Sequence, residues 1–565
     1  MLLRLALAPA LTLSLLAGAA QAAPLAPGTA AFDAFTYSGE DPTDAPLAPG
    51  QYANPILKGF YPDPSVTQVG DDYYLVNSTF AWFPGIPVFH SKDLVNWTQI
   101  GNAIDRPGQL DFKRLAMSRA VFAPAITEHA GVFYILNTCV DCGGNFLVTA
   151  RDPKGPWSDP VWLPQIDGID TSLFFDDDGR AWIVNNGPPQ GASRYDGHRA
   201  IWIQEYDPKA GKMVGPRSVL VDGGVDPSTK PIWIEGPHIQ KVDGRYYLTA
   251  AEGGTAEGHS QVVLRADTVT GPYAPYAGNP ILTQRDLPRD RAHPITSAGH
   301  ADLVQTGDGQ WWATFLAVRP YGDDAYNTGR ETFLLPVEWK DGWPVILPPR
   351  TAIPYAAARP NLPAGPAPRT PTSGAFTVRE TFDGQALGLD WMTMRIPTGR
   401  WWELKDGSLV LKARLDRLGG FEQPSIWARR QQHLNASAET TVRFAPKGDG
   451  DRAGIVALQN DEFFYALTVA GGADGRPEVR LEKRAGPKDP VDGVVVARAP
   501  LDVAAGAPVR LRIEARGGLY DFAYATRDGA WTSLARDQDG TILSTKVAGG
   551  FVGTMLGLYA RADER

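Results

Sequence analysis

The sequence predicts an all-β protein, a five-bladed β-propeller followed by a C-terminal β-sandwich. Three observations predict it. Five segments of the first half share one pattern: an extended run, a polar turn, then an aromatic-rich strand. Four stretches of the second half alternate apolar and polar residues, the period of a strand with one buried face. The 565 residues include 60 Gly, 48 Pro and 16 Trp, which suits many turns joining aromatic strands. With 43% apolar and 21% charged residues the chain buries large cores, and its length calls for two or three domains.

The first element, residues 1–22, reads as an export signal. Arg4 begins a short apolar stretch that ends in Ala20-Gln21-Ala22, a small-residue cleavage pattern. The mature chain is then expected outside the cytoplasm, secreted or periplasmic, starting near Ala23. Residues 23–49 form an N-terminal extension. Its "AFDAFTY" run, residues 31–37, is expected to cross over and supply a missing edge strand of the distant sandwich, because an open edge is a liability.

The propeller is expected over residues 50–346. Its repeats are "DPSVTQVGDDYYLV", "APAITEHAGVFYIL", "DTSLFFDDDGRAWIV", "EGPHIQKVDGRYYLT" and "GHADLVQTGDGQWWAT". The matched aromatics Tyr74, Tyr134, Trp182, Tyr247 and Trp312 are spaced 60, 48, 65 and 65 residues apart, as propeller blades would be. Eleven or twelve residues before four of these aromatics stand Asp63, Asp170, Glu235 and His300; the second repeat has Ala123 there. Innermost strands line a central channel, so this shared register should bring the three acids to one mouth. Singly, each acid is an ordinary turn residue. Together they are costly, because like charges at short range cannot all stay ionised, and such clusters mark sites that use the shifted acidity. Asp63 lies between Pro62 and Pro64, which should hold it on stiff, extended backbone.

Residues 347–374 carry eight prolines and read as a semi-rigid linker along the surface. The sandwich is expected over residues 375–565, where "SLVLKARL", "ETTVRF", "FFYALTV" and "VRLRIEA" alternate.

The net charge of −9, with no basic stripe, argues against nucleic acid. Beyond the leader no stretch could span a bilayer, so no membrane partner is expected. A neutral or weakly charged ligand fits better. The oligomeric state stays open. Cys139 and Cys142 are the only cysteines; export favours a local disulfide, with a free pair as the alternative. Asp176-Asp177-Asp178-Gly179 lacks the full spacing of a calcium loop and reads as a hairpin turn. No phosphate loop, nucleophile elbow or zinc-protease motif is present.

"NPILKGFYPDPSV", "STFAWFPGIPVFHSKDLVNWTQIG", "IDTSLFFDDDGRAWIV", "IEGPHIQKVDGRYYLTAAEGGT", "GHADLV" and "GRETFLLPVEWKDGWPV" resemble the glycoside hydrolases of family 43, in the β-xylosidase and α-L-arabinofuranosidase branch. The resemblance implies an inverting mechanism, an oligosaccharide partner, and a concanavalin-like sandwich. It also implies roles. Asp63 matches the general base, Glu235 the general acid, and Asp170 the third carboxyl that tunes and orients the acid. Thr171 stands where that family often has proline. Trp82 and Phe83 look like pocket walls against a sugar face, or else blade packing. Arg330 resembles an arginine that clamps sugar hydroxyls. His300 resembles an axial histidine, sometimes beside a structural calcium, or else is a hydrogen-bonded core residue. No cofactor is expected for the chemistry. A terminal β-D-xylosyl residue is the leading substrate and α-L-arabinofuranose the alternative. A non-catalytic, sugar-binding propeller is the rival of another class; it would have no reason to keep three acids in register.

Overall fold

The computed structural model describes residues 25–526 and 529–563; the expected leader, residues 1–22, lies outside them. Between Ser65 and Val345 the chain forms five successive antiparallel sheets of four or five strands each. Their innermost strands are Ser65–Val69, Ala125–His129, Ile169–Phe175, Glu235–Val242 and Thr296–Gln305. These strands neighbour one another in cyclic order, and the last touches the first, closing the ring. All five matched aromatics lie on the second strand of a blade, opposite the innermost one: Tyr74 faces Thr67, Tyr134 faces Thr127, Trp182 faces Phe174, Tyr247 faces Gln240 and Trp312 faces Val304. The connecting turns explain the register. Ala130-Gly131 and Asp243-Gly244 both have positive φ at their two central positions, the backbone hand that matches strand twist. Asp176 accepts hydrogen bonds from Lys241 Nζ (2.6 Å) and Tyr246 Oη (2.7 Å), so the Asp-Asp-Asp-Gly run is a structural turn.

Residues 376–561 form two packed sheets. The six-stranded one runs Ser425–Arg430, Met555–Arg561, Arg452–Asn460, Phe463–Gly471, Pro477–Ala485 and Val494–Pro500. The other has eight strands, and one of them is the N-terminal segment Thr29–Gly39. This strand does cross over, but its expected place at the edge is corrected. It pairs with Leu409–Lys412 and Phe376–Glu380 on one side and with Ala436–Arg443 on the other. Phe32 and Phe35 are fully buried in the sandwich core beside Trp391. Two flanking partners satisfy both rows of backbone groups, so the segment is an interior strand rather than an edge cover.

The proline-rich segment is tied down. Ala356–Ala358 pairs with Gln51–Ala53, and Arg359 Nη2 donates to Asp93 Oδ2 at 2.6 Å. Propeller and sandwich share one apolar cluster that includes Trp82, Met392, Met394, Ile426 and Tyr559. Cys139 and Cys142 are joined as a disulfide.

Candidate active site

Asp63, Asp170, Glu235, His300 and Arg330 all line one cavity of about 260 Å³ at the mouth of the propeller channel. The three carboxyls come from the first, third and fourth blades. A common backbone device presents two of them: a register shift at Ile169/Ser172 and another at Glu235/His238. A bulge re-aims side chains at a strand end, here toward the channel mouth. Asp170 has φ 56° and His300 φ 52°, and Gly236, just after Glu235, has φ 56°. Asp63 has φ 51°, so its expected extended backbone is corrected to the left-handed region. Such conformations cost about 1–3 kcal/mol each in non-glycine residues and persist where the surroundings over-determine them.

The surroundings of Asp63 do so. Thr332 Oγ1 donates to Tyr61 O at 2.6 Å, and Asn77 Nδ2 donates to Tyr61 O and Pro62 O. Arg330 binds the Asp63 carboxylate through Nη1 (2.9 Å) and Nη2 (3.3 Å), and Ser78 Oγ donates to its Oδ2. Asp63 is thus a fixed, charge-paired acceptor. The Arg330 guanidinium lies 5.8 Å from the Phe80 ring and 5.3 Å from the Phe551 ring. Its Nε is buried without a protein partner among the described residues, leaving one donor for a ligand.

Glu235 and Asp170 are held differently. Asp170 Oδ2 accepts only a 3.2 Å bond from Gly236 N. Burial, and then the Asp63 charge, push Asp170 up to about 7. Burial pushes Glu235 well above the carboxylate range, helped by Asp170 and Asp63 and opposed by Arg330 and by the Trp233 indole. Both carboxyls are therefore biased toward their protonated forms, while the Arg330 charge is spent on Asp63. Burial, rather than the Asp170 charge alone, is the larger cause of the raised pKa of Glu235. Burial likewise lowers His300 and His259 to about 4, so both imidazoles are neutral.

A calcium beside His300 does not suit these residues. Calcium takes about six to eight oxygen ligands. The ionisable groups around His300 are Asp63, His259, His238 and Arg330; Asp63 is committed to Arg330, and two of the others are imidazoles.

The cavity walls differ from the expected ones. Trp82 and Phe83 do not line it. They are buried and pair with Thr393–Met394 of the second half, so they are interface packing. The apolar lining is Phe80, Phe122, Ile232, Trp233 and Phe551. Phe551 comes from the sandwich: it stacks on Phe80 at 5.6 Å and meets Phe122 edge-on at 5.7 Å. A Cβ on Gly329 would lie 2.9 Å from Gly553 Cα, so two glycines permit the close approach that seats Phe551. Trp233, at φ 58°, carries the Arg199 guanidinium 4.4 Å over its ring. The repeat pattern does not mark these residues, because Phe80, Phe122, Ile232 and Trp233 lie between repeats and Phe551 lies in the sandwich. Only their aromatic character hinted at a sugar-facing role.

A propeller mouth with three buried carboxyls, one arginine and aromatic walls defines a hydrolase-type pocket for a small polar ligand. Comparison with known proteins gives the family. The model of glycosyl hydrolases family 43 matches residues 52–344, and that of the beta xylosidase C-terminal concanavalin A-like domain matches residues 379–565. The chain belongs to glycosyl hydrolases family 43 and is a glycoside hydrolase. It is 38% identical to a xylosidase/arabinosidase of Butyrivibrio fibrisolvens, over 90% of this chain and 96% of the relative. It is 36% identical to a non-reducing end alpha-L-arabinofuranosidase of Bacteroides ovatus, over 92% of each. A crystal structure of a family 43 subfamily 12 protein from a capybara gut metagenome superposes with a TM-score of 0.86 at 39% identity, covering 94% of this chain and 99% of that one.

Proposed function

We propose that the protein is an inverting, exo-acting glycosidase that releases terminal β-D-xylosyl residues from xylo-oligosaccharides. The observation that carries this is the division of labour among the acids in one small cavity. Asp63, held by Arg330 and Ser78, is the general base that takes a proton from the attacking water. Glu235, buried and raised, is the general acid that protonates the departing glycosidic oxygen. Asp170 helps to keep Glu235 protonated through its charge and orients it through the Gly236 amide. Acid and base stand on the fourth and first blades and line the same cavity; inversion requires them about 6.5–9.5 Å apart with a water between. The walls from Phe551 and Trp233 favour a chain end over a threaded polymer.

The relatives' names, xylosidase and arabinosidase, favour a pentose and make α-L-arabinofuranose the second reading. Rates on nitrophenyl β-D-xyloside and nitrophenyl α-L-arabinofuranoside decide between them. Glu235→Gln should lower turnover of xylobiose by about 10²–10⁴, and less for the nitrophenyl glycoside, whose leaving group needs little protonation. Equal activity of Glu235→Gln and wild type would refute the assignment, and proton NMR of the first-formed anomer tests inversion. The leader motif supports export; a mature N-terminus near Ala23, read by mass spectrometry of the secreted protein, is the expected result.

A further inference from the structure

Behind the site lies a dry ionic chain that the chemistry does not use. Arg319 binds Glu331 through Nε (2.6 Å) and Nη2 (2.9 Å), and binds Asp41 Oδ2 through Nη1 (2.5 Å). Lys58 Nζ donates to Asp41 Oδ2 (3.1 Å) and to Asp44 Oδ2 (2.7 Å). Asp41 Oδ1 accepts from Leu434 N of the sandwich at 2.8 Å. Lys58, Asp41, Arg319 and Glu331 are each at most 4% exposed. Two cations and three carboxyls are thus buried together. Buried ion pairs contribute little net stability compared with apolar packing, so their retention calls for another reason.

The path of the chain supplies one. Glu331 opens the strand Glu331–Lys340 and Arg330 is the residue just before it; their side chains part, Arg330 to Asp63 and Glu331 to Arg319. Glu331 enters the ionic chain while Arg330 enters the catalytic cavity. Glu331 Oε1 also accepts from Gly59 N at 2.7 Å, and Tyr61 N donates to Arg330 O at 3.1 Å. The carboxylate of Glu331 therefore clamps both the strand that presents Arg330 and the segment that presents Asp63. Asp41, from the N-terminal segment, anchors the far side of Arg319.

We propose that Asp41, Arg319 and Glu331 are positioning residues that keep Arg330 paired with Asp63, making the N-terminal segment a working part of the hydrolytic site. This rests on Asp63 being the base. Asp63 also faces His300, Asp170 and Glu235, with His259 behind, and none of these touches the ionic chain directly. Loosening the clamp frees Arg330 and weakens its two-pronged hold on the Asp63 carboxylate.

The test uses full-length Asp41→Asn. Its kcat/KM should fall about tenfold, the scale of a sub-ångström misplacement. In an Arg330→Lys background the same substitution should have little further effect. A lower melting temperature with an unchanged rate per folded molecule and additive behaviour would overturn the proposal. If Asp41→Asn does not fold, the charge-neutral pair Arg319→Gln with Glu331→Gln carries the same expectations. A crystal structure of the folded variant gives a readout independent of activity. An opened Arg330–Asp63 pair supports positioning; a pair still at 2.9 Å refutes it, even if the wild type cleaves neither pentoside and only the functional reading has failed.

Discussion

At the scale of single residues, three acids of similar pattern in the sequence become three different groups. Asp63 accepts from a guanidinium and a hydroxyl; Asp170 and Glu235 are buried with one backbone bond and one indole between them. The difference sets a stability cost with a definite sign. A carboxyl whose folded pKa is raised holds its proton to higher pH folded than unfolded, so stability is lost as pH rises. For Asp170 the window runs from the ordinary carboxylate range to about 7. Asp170→Asn should therefore raise the melting temperature at pH 8 and leave it nearly unchanged below pH 4, while lowering turnover. Scanning calorimetry at the two pH values checks this, and equal shifts at both would contradict it. The three acids were legible in the sequence because the repeat put them in register. The Arg330–Asp63 pair was not, because it joins residues 267 apart.

At the scale of elements, the N-terminal strand Thr29–Gly39 is the least expected part. Its alternation marked it as a strand, but its place between two partners came from pairings hundreds of residues away. An interior strand costs more to remove than an edge strand, since two ladders and the buried Phe32 and Phe35 go with it. Deleting residues 23–45 should lower the melting temperature by more than 10 °C or abolish soluble folding. Phe32→Ala alone should cost about 3–5 kcal/mol in denaturant unfolding. An unchanged melting point for the deletion would show that the strand is dispensable. The bulges at the strand tops were equally hidden, because a register shift is a property of two strands together.

At the scale of the whole molecule, the sandwich completes the pocket. Phe551 reaches Phe80 and the Arg330 guanidinium, and an apolar cluster spans both halves. Phe551→Ala should raise KM for a pentoside several-fold with a smaller change in kcat, because the wall meets the substrate on both sides of the barrier. A selective fall in kcat would instead place Phe551 in transition-state stabilisation. Among the described residues no helix is long and apolar enough to cross a membrane.

The amino-acid sequence alone determined what repeats locally: strands, hairpin turns, five blades' worth of pattern, and an acid at the same offset in three of them. These depend on residues near one another in the chain, where periodicity and turn chemistry act. Tertiary structure alone decided which aromatics wall the cavity, moving that role from Trp82 and Phe83 to Phe122, Trp233 and Phe551. It also decided which carboxyl is paired and which keeps a proton, and where the N-terminal strand inserts. Burial and charge pairing are set by groups that meet only after the ring closes and the sandwich docks, and no local pattern records them.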